Sequence, residues 1–402
     1  MKDDEKKHNT KKHDDTNNPE NYSRHSRYIW LGIVIVVVLA SIIYLEMQKV
    51  RPITIPVNPS NNNYNNGNDT TDNTNALGAP TETINGNTYP RAPELSGIDS
   101  WINSEPLTMG SLKGKVVLVD FWTYSCINCL RTLPYLNSWN EKYKNDGLVI
   151  IGVHTPEFAF EKINSNVLMA VKKYGIGYPV ALDNNYGTWD AYGNQYWPRK
   201  YLIDKNGYIR YDHIGEGGYD ETEMQIQQLL SETGVHVNYT LSNITDETPT
   251  TQNTQELYLG YTYALERAQN IGNNLGLIPD IEKNYTIEYD SSNSPKLLND
   301  IPYLEGFWKS ASETVTTTRN TTASLYLKFT AKKAHVVLEG PIGAKIYVTV
   351  DGKDVTTQDV HDGYFTIDGP RLYTLYDGTY GTYTLKISTN AQGIEIDSFT
   401  FG

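Results

Sequence analysis

The stretch that decides the fold of this chain is Phe121-Trp122-Thr123-Tyr124-Ser125-Cys126-Ile127-Asn128-Cys129. It holds the only two cysteines among 402 residues, and two residues separate them. Residues 116–121 before it are almost all apolar, which is typical of a strand buried on both faces. Leu133, Leu136 and Tyr143 after it share one face of a predicted helix. The cysteines are therefore predicted to lie where a strand turns into a helix.

This position favours redox chemistry. Cys126 lies near the predicted helix N-terminus, where first-turn amides and the helix dipole stabilise a thiolate. The short spacing lets Cys129 reach Cys126, so the pair can cycle between dithiol and disulfide. Asp120 lies inside the apolar strand, where a carboxylate is costly unless it has a role, such as exchanging a proton with a buried second cysteine. We predict Cys126 as the attacking thiol and Cys129 as the resolving thiol.

Two prolines and several motifs complete the pattern. Pro134 lies inside the predicted helix, where it should bend the axis, and Pro198 opens a later strand. With these features the chain resembles thioredoxins, and more closely the extracytoplasmic thioredoxin-like domains of the TlpA and DipZ type. The resemblance covers about residues 90–233. Its motifs are Asp120-Phe121-Trp122, the cysteine pair, Pro134, His154-Thr155-Pro156-Glu157-Phe158 and Tyr196-Trp197-Pro198.

The resemblance implies roles for residues outside the cysteine pair. Trp122, Trp197 and Pro198 are expected to support the site, together with Asp120. A cis peptide is expected before Pro198, packed against the cysteines and bordering the substrate groove. The strand end that carries His154 and Glu157 could form a polar rim or a proton relay. A solvated loop is the favoured interpretation of these two residues, because loop ends are commonly polar.

A zinc site, a haem attachment site and a structural disulfide are all weakly supported by the cysteine pair. A zinc site would need two further ligands, and the eight histidines of the chain offer no clustered partner. Covalent haem attachment requires a histidine directly after the second cysteine, where this chain has Leu130. A structural disulfide normally closes a longer loop. We therefore predict a site that needs no metal and no cofactor.

The N-terminal part of the chain predicts a membrane anchor. Residues 1–27 are polar and charged, as in a disordered cytoplasmic tail. Residues 28–45 form an uncharged apolar run that could cross a bilayer, and the polar lead is long for a cleaved signal peptide. Seven Lys and Arg residues precede this run and two follow it before residue 90, so the remainder is expected outside the cytoplasm. Residues 46–88 are rich in Asn and are expected to be a flexible linker.

Residues 89–233 carry the predicted redox domain. Apolar strands near residues 147–154 and 178–182 alternate with helical stretches. A turn signal, Lys205-Asn206-Gly207, then joins two strands of a hairpin before a closing helix at residues 218–230. This order predicts an α/β domain with a mixed sheet, as the resemblance to thioredoxins also implies.

A second linker at residues 234–254 precedes a segment with a different pattern. Residues 255–271 are predicted to be helical, and from about residue 285 apolar and polar residues alternate, which predicts many short strands. Residues 255–402 resemble the C-terminal module of the DipZ type, an all-β, jelly-roll-like sandwich similar to a carbohydrate-binding module. Sugar binding and a docking surface for substrate are both open, and docking is the favoured interpretation.

These features together predict a membrane-anchored, extracytoplasmic thiol-disulfide oxidoreductase that reduces protein disulfides. The net charge of −13 argues against a nucleic-acid partner. Proteins of the DipZ type carry a multi-span membrane domain, whereas one span is predicted here, so reduction would require a separate membrane electron donor of the CcdA kind. One alternative is a peroxiredoxin-like peroxidase, because Thr123 and Cys126 match its Thr-x-x-Cys element, although Val119 occupies the place of a proline in that family. The second is a surface binding module with a vestigial redox pair.

Overall fold

The computed structural model describes residues 80–237 and 240–402. The predicted tail at residues 1–27, the predicted membrane anchor at residues 28–45 and most of the predicted linker at residues 46–88 lie outside the described residues. In the part of the chain that is described, no helix is both long enough and apolar enough to cross a membrane.

The described end of the predicted linker contains a β-hairpin. Strand β1 (Thr81–Ile84) pairs antiparallel with β2 (Asn87–Pro90). The turn between them is Asn85-Gly86, with φ angles of 51° and 83°, and an Asn-Gly pair adopts such angles readily in two-residue hairpins. The prediction of linker up to residue 88 is therefore wrong for these residues. The Asn-Gly turn signal at residues 85–86 is difficult to distinguish because it closely follows a stretch that is rich in Asn.

The redox domain is built on a six-stranded mixed sheet, as predicted. Its strands are β3 (Ser100–Ile102), β4 (Val116–Trp122), β5 (Leu148–His154), β6 (Val180–Leu182), β7 (Arg199–Ile203) and β8 (Ile209–Ile214). Their order in the sheet is β3-β6-β5-β4-β7-β8, with β4, β5 and β6 parallel to one another and the remaining pairs antiparallel. The helices are α1 (Ile127–Tyr143), α2 (Asn164–Lys173), α3 (Gly187–Ala191) and α4 (Tyr219–Glu232). Short 3₁₀ helices lie at Gly110–Leu112, Lys144–Asp146 and Ala159–Lys162.

The central strand β4 explains why the sheet has two packed faces. All seven of its residues are buried. Alternate side chains point to opposite faces of a strand, so Leu118 and Trp122 join one apolar cluster whereas Val119 and Phe121 join another. Helix α1 covers the first face with its buried apolar side chains Leu133, Leu136, Trp139 and Tyr143. The continuous apolar run before Cys126 thus forms a doubly covered strand.

The C-terminal region is β-rich, as predicted. Its strands are β9 (Leu257–Tyr258), β10 (Glu282–Tyr285), β11 (Pro302–Ser310), β12 (Val315–Thr317), β13 (Ala323–Glu339), β14 (Lys345–Val350), β15 (Lys353–Asp354), β16 (Tyr364–Thr366), β17 (Arg371–Thr389) and β18 (Glu395–Phe401). Among the described residues, these strands pair antiparallel as one ten-stranded sheet. Strand β13 organises it, because β17 pairs along one edge of β13 while β11 and β18 pair along the other.

The prediction of a helix over residues 255–271 is wrong. Leu257 and Tyr258 form β9 and pair with Phe399 and Ser398 of β18, and the following helix α5 covers only Tyr261–Glu266. Pairing with a distant strand prevailed over the helical spacing of the apolar residues, as tertiary contacts often do in a short segment. Gly260, between the two elements, lies so close to the backbone of Glu313 that a Cβ atom would be 2.1 Å from its carbonyl carbon.

The second predicted linker lacks regular secondary structure over residues 240–253, yet it is held in place. We refer to residues 240–247 as the strap. Tyr135 of α1 donates its hydroxyl hydrogen bond to the Ile244 carbonyl at 3.0 Å. Lys142 donates to the Thr240 carbonyl at 2.8 Å, and the Ser242 amide donates to Glu223 at 2.8 Å. The strap therefore lies along α1, and one apolar cluster continues from α1 into the β-rich region.

Candidate active site

The two cysteines lie at the start of α1, as predicted, with different exposure. Cys126 is the N-cap residue and is partly exposed, whereas Cys129 is only 1% exposed. The Cys129 amide donates to Cys126 Sγ at 3.4 Å, and both thiols are free. Burial and the neighbouring Cys126 raise the pKa of Cys129 well above its usual value. The accessible sulfur is therefore that of Cys126, and the buried thiol of Cys129 needs a group that accepts its proton.

Asp120 lies on the strand behind the cysteines with a lysine opposite it. Asp120 and Lys200 are register partners in β4 and β7, and both side chains are buried. Burial raises the pKa of Asp120 to about 7, and the positive charge of Lys200 opposes this rise. Burial lowers the pKa of Lys200, whose Nζ donates to the Gly215 carbonyl at 3.0 Å. The structure thus places a carboxyl that can titrate near neutral pH within electrostatic reach of Cys129.

Lys200 was missed by the sequence analysis. It lies in Arg199-Lys200-Tyr201-Leu202-Ile203, where the last three residues are buried and largely apolar. A lysine at a strand position that faces the interior is rare unless it has a partner. The signal that could have revealed it is the combination of this lysine with Asp120 on a second apolar strand.

Trp197 and Pro198 lie beside the exposed thiol. Their peptide bond is cis, as the resemblance implied. Cys126 donates its thiol hydrogen bond to the Trp197 carbonyl, with an S···O distance of 3.9 Å. The Trp197 indole donates to the Thr155 carbonyl at 3.0 Å and packs on Trp189 with ring centroids 4.3 Å apart. These contacts fix the position of a backbone oxygen next to Cys126.

Trp122, the last residue of β4, has a completely buried ring. It meets the ring of His154 edge to face, with centroids 5.2 Å apart. His154 is itself fully buried, and its ring stacks on that of Tyr124 with centroids 5.6 Å apart. Burial lowers the pKa of His154 to about 3, so the imidazole is neutral at physiological pH. Its Nε2 lies 3.3 Å from the Thr123 hydroxyl.

The interpretation of His154 and Glu157 as part of a solvated loop is therefore wrong. His154 is the last residue of β5 and pairs in register with Trp122, which keeps it inside the sheet. Glu157 is partly buried and accepts the Tyr258 hydroxyl at 2.6 Å. Burial and the nearby Glu256 raise the pKa of Glu157 to about 8. The C-terminal region packs over this segment, so Glu157 is shielded from solvent by residues outside the redox domain.

Glu161 is a second residue that the sequence analysis missed. It is fully buried and accepts hydrogen bonds from the Ser125 hydroxyl at 2.5 Å and the Ser125 amide at 3.3 Å. Its other oxygen accepts from the amides of Glu157 and Phe158 at 2.6 and 3.0 Å. Burial raises its pKa, whereas these donors oppose the rise. Glu161 therefore ties the residue before Cys126 to the segment after β5.

No cluster of three or more His, Cys, Asp or Glu side chains in residues 80–237 and 240–402 has the arrangement of a metal site. The groups that the structure brings together around Cys126 are a second thiol, a buried carboxyl, a buried amine and a fixed backbone carbonyl. These groups can support proton transfer and thiol exchange.

Comparison with known proteins gives two family matches and several relatives. The chain matches the family described as Redoxin over residues 90–230 and the family described as Thioredoxin like C-terminal domain over residues 254–402. Protein DipZ of Mycobacterium bovis is 38% identical over 319 residues, which are 77% of this chain and 43% of DipZ. The chain therefore spans less than half the length of that relative.

Two shorter relatives match along most of their own length. Thiol-disulfide oxidoreductase YkuV of Bacillus subtilis is 30% identical over 141 residues, which are 35% of this chain and 95% of YkuV. Thiol-disulfide oxidoreductase ResA of Bacillus thuringiensis is 30% identical over 128 residues, which are 32% of this chain and 71% of ResA. Because the match covers most of each of these relatives, the chain belongs to the thioredoxin-like family of thiol-disulfide oxidoreductases.

Proposed function

We propose that this protein reduces disulfides of other proteins through its Cys126–Cys129 dithiol. The observation that carries the proposal is the unequal exposure of the pair. Cys126 is accessible at the helix N-terminus, and the buried Cys129 amide donates to its sulfur. An accessible thiol attacks, and a buried neighbour resolves, in thiol-disulfide exchange.

The reaction has two exchange steps. The Cys126 thiolate attacks one sulfur of the substrate disulfide, and the other substrate sulfur leaves as a thiolate that takes a proton from water. Cys129 then loses its proton and attacks Cys126, which forms the Cys126–Cys129 disulfide and releases the first substrate sulfur as a thiolate. The substrate gains two electrons and this protein loses them.

Asp120 is proposed to accept the proton of Cys129 in the second step. Its pKa of about 7 leaves a substantial fraction ionised at neutral pH. Lys200, opposite Asp120 in the register, limits the rise of that pKa and keeps the carboxylate available. The Trp197 carbonyl, close to Cys126, is proposed to accept a backbone amide of an extended substrate segment.

We further propose the setting of this reaction. Residues 28–45 would anchor the protein in the cell membrane with the described residues outside the cytoplasm, and a membrane electron donor of the CcdA kind would return the dithiol to its reduced state. The β-rich C-terminal region is proposed to be a jelly-roll-like sandwich that presents substrates to the cysteines. The similarity to DipZ supports these proposals.

A trapping experiment tests the proposed roles. Reduced full-length protein carrying Cys129→Ser, mixed with native insulin that has its disulfide bonds intact, should accumulate a mixed disulfide with insulin. A non-reducing gel detects this product. Cys126→Ser should not accumulate it. Trapping by the Cys126→Ser variant alone would reverse the assignment. If the wild-type protein turns over hydrogen peroxide rapidly and does not reduce insulin, the peroxidase function is favoured instead.

A further inference from the structure

A cavity of about 620 Å³ borders the first two turns of α1 and is lined by Ile127, the residue directly after Cys126. Its size falls within the range of about 300–1,000 Å³ that is usual for ligand sites. One wall is formed by Ile127, Leu130 and Pro134 of α1. Their spacing of three and four residues places them on one face of the helix. Because Ile127 directly follows Cys126, this face begins beside the attacking thiol.

The remaining walls come from segments that are distant in sequence. Tyr174, directly after α2, lines the cavity, as do Ile244 and Thr245 of the strap. Gln358 and Leu372 of the β-rich region close it. We refer to this space as the junction cavity. It lies where the redox domain, the strap and the C-terminal region meet, and half of the side chains that line it are apolar or aromatic, including the whole wall formed by Ile127, Leu130 and Pro134.

Most of the charged side chains around the junction cavity already have partners of opposite charge. Arg131 is bound by Glu216 at 2.6 Å, and Glu247 by Lys333 at 3.2 Å. Asp359, which lines the cavity, is bound by Arg371 at 2.9 Å. These groups are therefore engaged within the protein.

Lys173, at the end of α2, differs from these residues because it forms no ion pair with any described residue. Its Nζ lies 5.5 Å from the centre of the Tyr174 ring. Burial and the nearby Arg371 lower the pKa of Lys173, and Asp359 and Asp368, which are both bound by Arg371, only partly oppose this effect. A carboxylate on a bound ligand would therefore find Lys173 available.

We propose that the junction cavity binds an apolar side chain of the substrate polypeptide and that Lys173 pairs with an acidic side chain next to it. This inference rests on the proposed function and adds a substrate class, which is disulfide proteins with an apolar and an acidic residue near the reactive cysteine. From Ile127 to Pro134 the wall extends along α1 by about 10 Å, at about 1.5 Å per residue. An extended segment covers that length in about three residues. The apolar residue therefore lies two or three positions from the substrate cysteine.

Peptide substrates test the inference. Each probe is a nine-residue peptide with one cysteine, joined as a mixed disulfide to 5-thio-2-nitrobenzoate, whose release is followed by absorbance. Leucine and glutamate occupy positions two and three from the cysteine, on its N-terminal side in one peptide and its C-terminal side in another, and serine replaces both in a reference peptide. With reduced full-length protein, one leucine–glutamate peptide should react about tenfold faster than the reference, because burial of one leucine side chain can supply that factor.

Two pairs of variants assign the preference to the cavity. Thr245→Trp fills the junction cavity and should abolish the preference, whereas Asn243→Trp, at an exposed strap position that does not line it, should not. Lys173→Glu should lower the rate of the preferred leucine–glutamate peptide relative to the reference peptide, whereas Lys172→Glu, on the exposed neighbouring residue that does not line the cavity, should leave this ratio unchanged. Gln358→Trp fills the cavity from the opposite wall and replaces Thr245→Trp if that variant folds poorly.

The outcomes separate the inference from the proposed function. Bis(2-hydroxyethyl) disulfide, a small uncharged disulfide, should be reduced at the wild-type rate by the Asn243→Trp and Lys172→Glu variants, whose substituted residues do not line the cavity. If this compound is reduced but the peptides react equally, or the cavity-filling variants keep the preference, the junction cavity does not select substrates. If neither the small disulfide nor any peptide is reduced, the proposed function itself fails.

Discussion

The buried carboxyl of Asp120 has the properties that the proposed proton transfer from Cys129 requires. In water a carboxyl is almost fully ionised at neutral pH and is too weak a base to hold a proton there. A group with a pKa far above 7 would hold the proton but would release it only slowly. Burial raises the pKa of Asp120 to about 7, which makes it both a proton acceptor and a proton donor at physiological pH. Its Oδ1 atom has no hydrogen-bond partner among the described residues, so that oxygen is available for the proton of Cys129.

The first prediction concerns Asp120→Asn. The amide cannot accept a proton, so resolution by Cys129 should slow by about a hundredfold, within the usual range for loss of a general base. Attack by Cys126 on a small disulfide should change little. Acid quenching and alkylation at successive times would measure the lifetime of the mixed disulfide. The wild-type resolution rate should increase as the pH rises through about 7, as Asp120 loses its proton, and the variant should lack this inflection.

Asp212→Asn is a suitable control, because Asp212 is exposed and pairs with Arg199 at the surface. An unchanged lifetime of the mixed disulfide in Asp120→Asn would show that another group takes the proton.

The second prediction concerns Lys200→Met, which keeps an unbranched side chain of nearly the same length and removes its charge. The positive charge of Lys200 lowers the pKa of Asp120. Its loss should therefore move the pH dependence of the resolution step to higher pH, by one unit or more for a buried charge this close. The same rapid-quench series, repeated between pH 6 and 9 (about the range over which Asp120 would titrate), measures the shift. A profile that stays in place would mean that the lysine acts only through its bond to Gly215.

At the scale of elements, hydrogen bonds with a different secondary-structure element fix the position of the segment before α1. The Ser125 amide and hydroxyl are bound by Glu161, which follows β5 in a 3₁₀ helix. The same carboxylate binds two amides of its own segment. One buried carboxylate therefore holds Ser125, the residue directly before the partly exposed Cys126.

The third prediction follows from these four hydrogen bonds. In Glu161→Gln, one oxygen is replaced by an NH₂ group that faces amide donors and cannot accept from them. The variant should lose about 1–3 kcal/mol of unfolding free energy, the usual cost of leaving buried polar groups unpaired. Urea unfolding measures this loss, and Glu141→Gln, at an exposed position, is the control. A loss no larger than that of the control would show that the loop has other support.

Some elements could be predicted from the sequence because a local pattern determines them. The buried strand β4, helix α1 with its N-terminal cysteine, and the hairpin of β7 and β8 all follow from apolar runs, periodicity or a turn signal. The prediction of a helix at residues 255–271 was wrong because a distant strand, and not the local pattern, determines part of their structure. Their spacing suits a helix, but Leu257 and Tyr258 gain more by pairing with β18, which lies 140 residues later in the chain.

At the scale of the whole molecule, the parts of the site that could not be predicted are those assembled from distant segments. The cysteines and Asp120 lie within ten residues of one another and carry a recognisable motif. The junction cavity draws its walls from α1, α2, the strap and the β-rich region, and none of these segments is unusual by itself. The burial of Glu157 likewise depends on Tyr258, about a hundred residues away.

The contact between the two regions also brings several carboxyl groups close together. The Tyr258 hydroxyl lies 2.6 Å from Glu157 and 3.1 Å from Glu256, so two acidic groups share one hydroxyl. Burial and the charge of Glu256 raise the pKa of Glu157, and desolvation raises the pKa of Glu256, so the protonated form of both groups is favoured. Asp397 of β18 is also buried, and burial together with Glu339 and Glu395 raises its pKa. Arg267, whose guanidinium lies 4.1 Å from the centre of the Tyr258 ring, offsets part of this negative charge.

The fourth prediction is that raising the pH destabilises this contact. The pKa of Glu157 is about 8 in the folded protein, against 4.5 for the free side chain. A carboxyl whose pKa is higher in the folded state than in the unfolded state contributes fully to stability at pH values below its unfolded-state pKa. That contribution is lost as the pH rises to the folded-state pKa. The pKa of His154 is lowered instead, to about 3, so its contribution is lost only as the pH falls below about 6.5. Between about pH 6.5 and 8.5, the unfolding free energy should therefore fall.

Glu157→Gln separates the pair from the other acids. The neutral amide mimics the protonated side chain, so the variant should lose less stability than the wild type over this pH range. Its slope against pH should be shallower by a fraction of the 1.4 kcal/mol per unit that corresponds to about one full proton. Glu105→Gln, at an exposed position of the redox domain, should follow the wild type. Urea unfolding at several pH values measures these slopes. Parallel slopes for Glu157→Gln and the wild type would mean that Glu157 is ionised in the folded protein, with Arg267 balancing its charge.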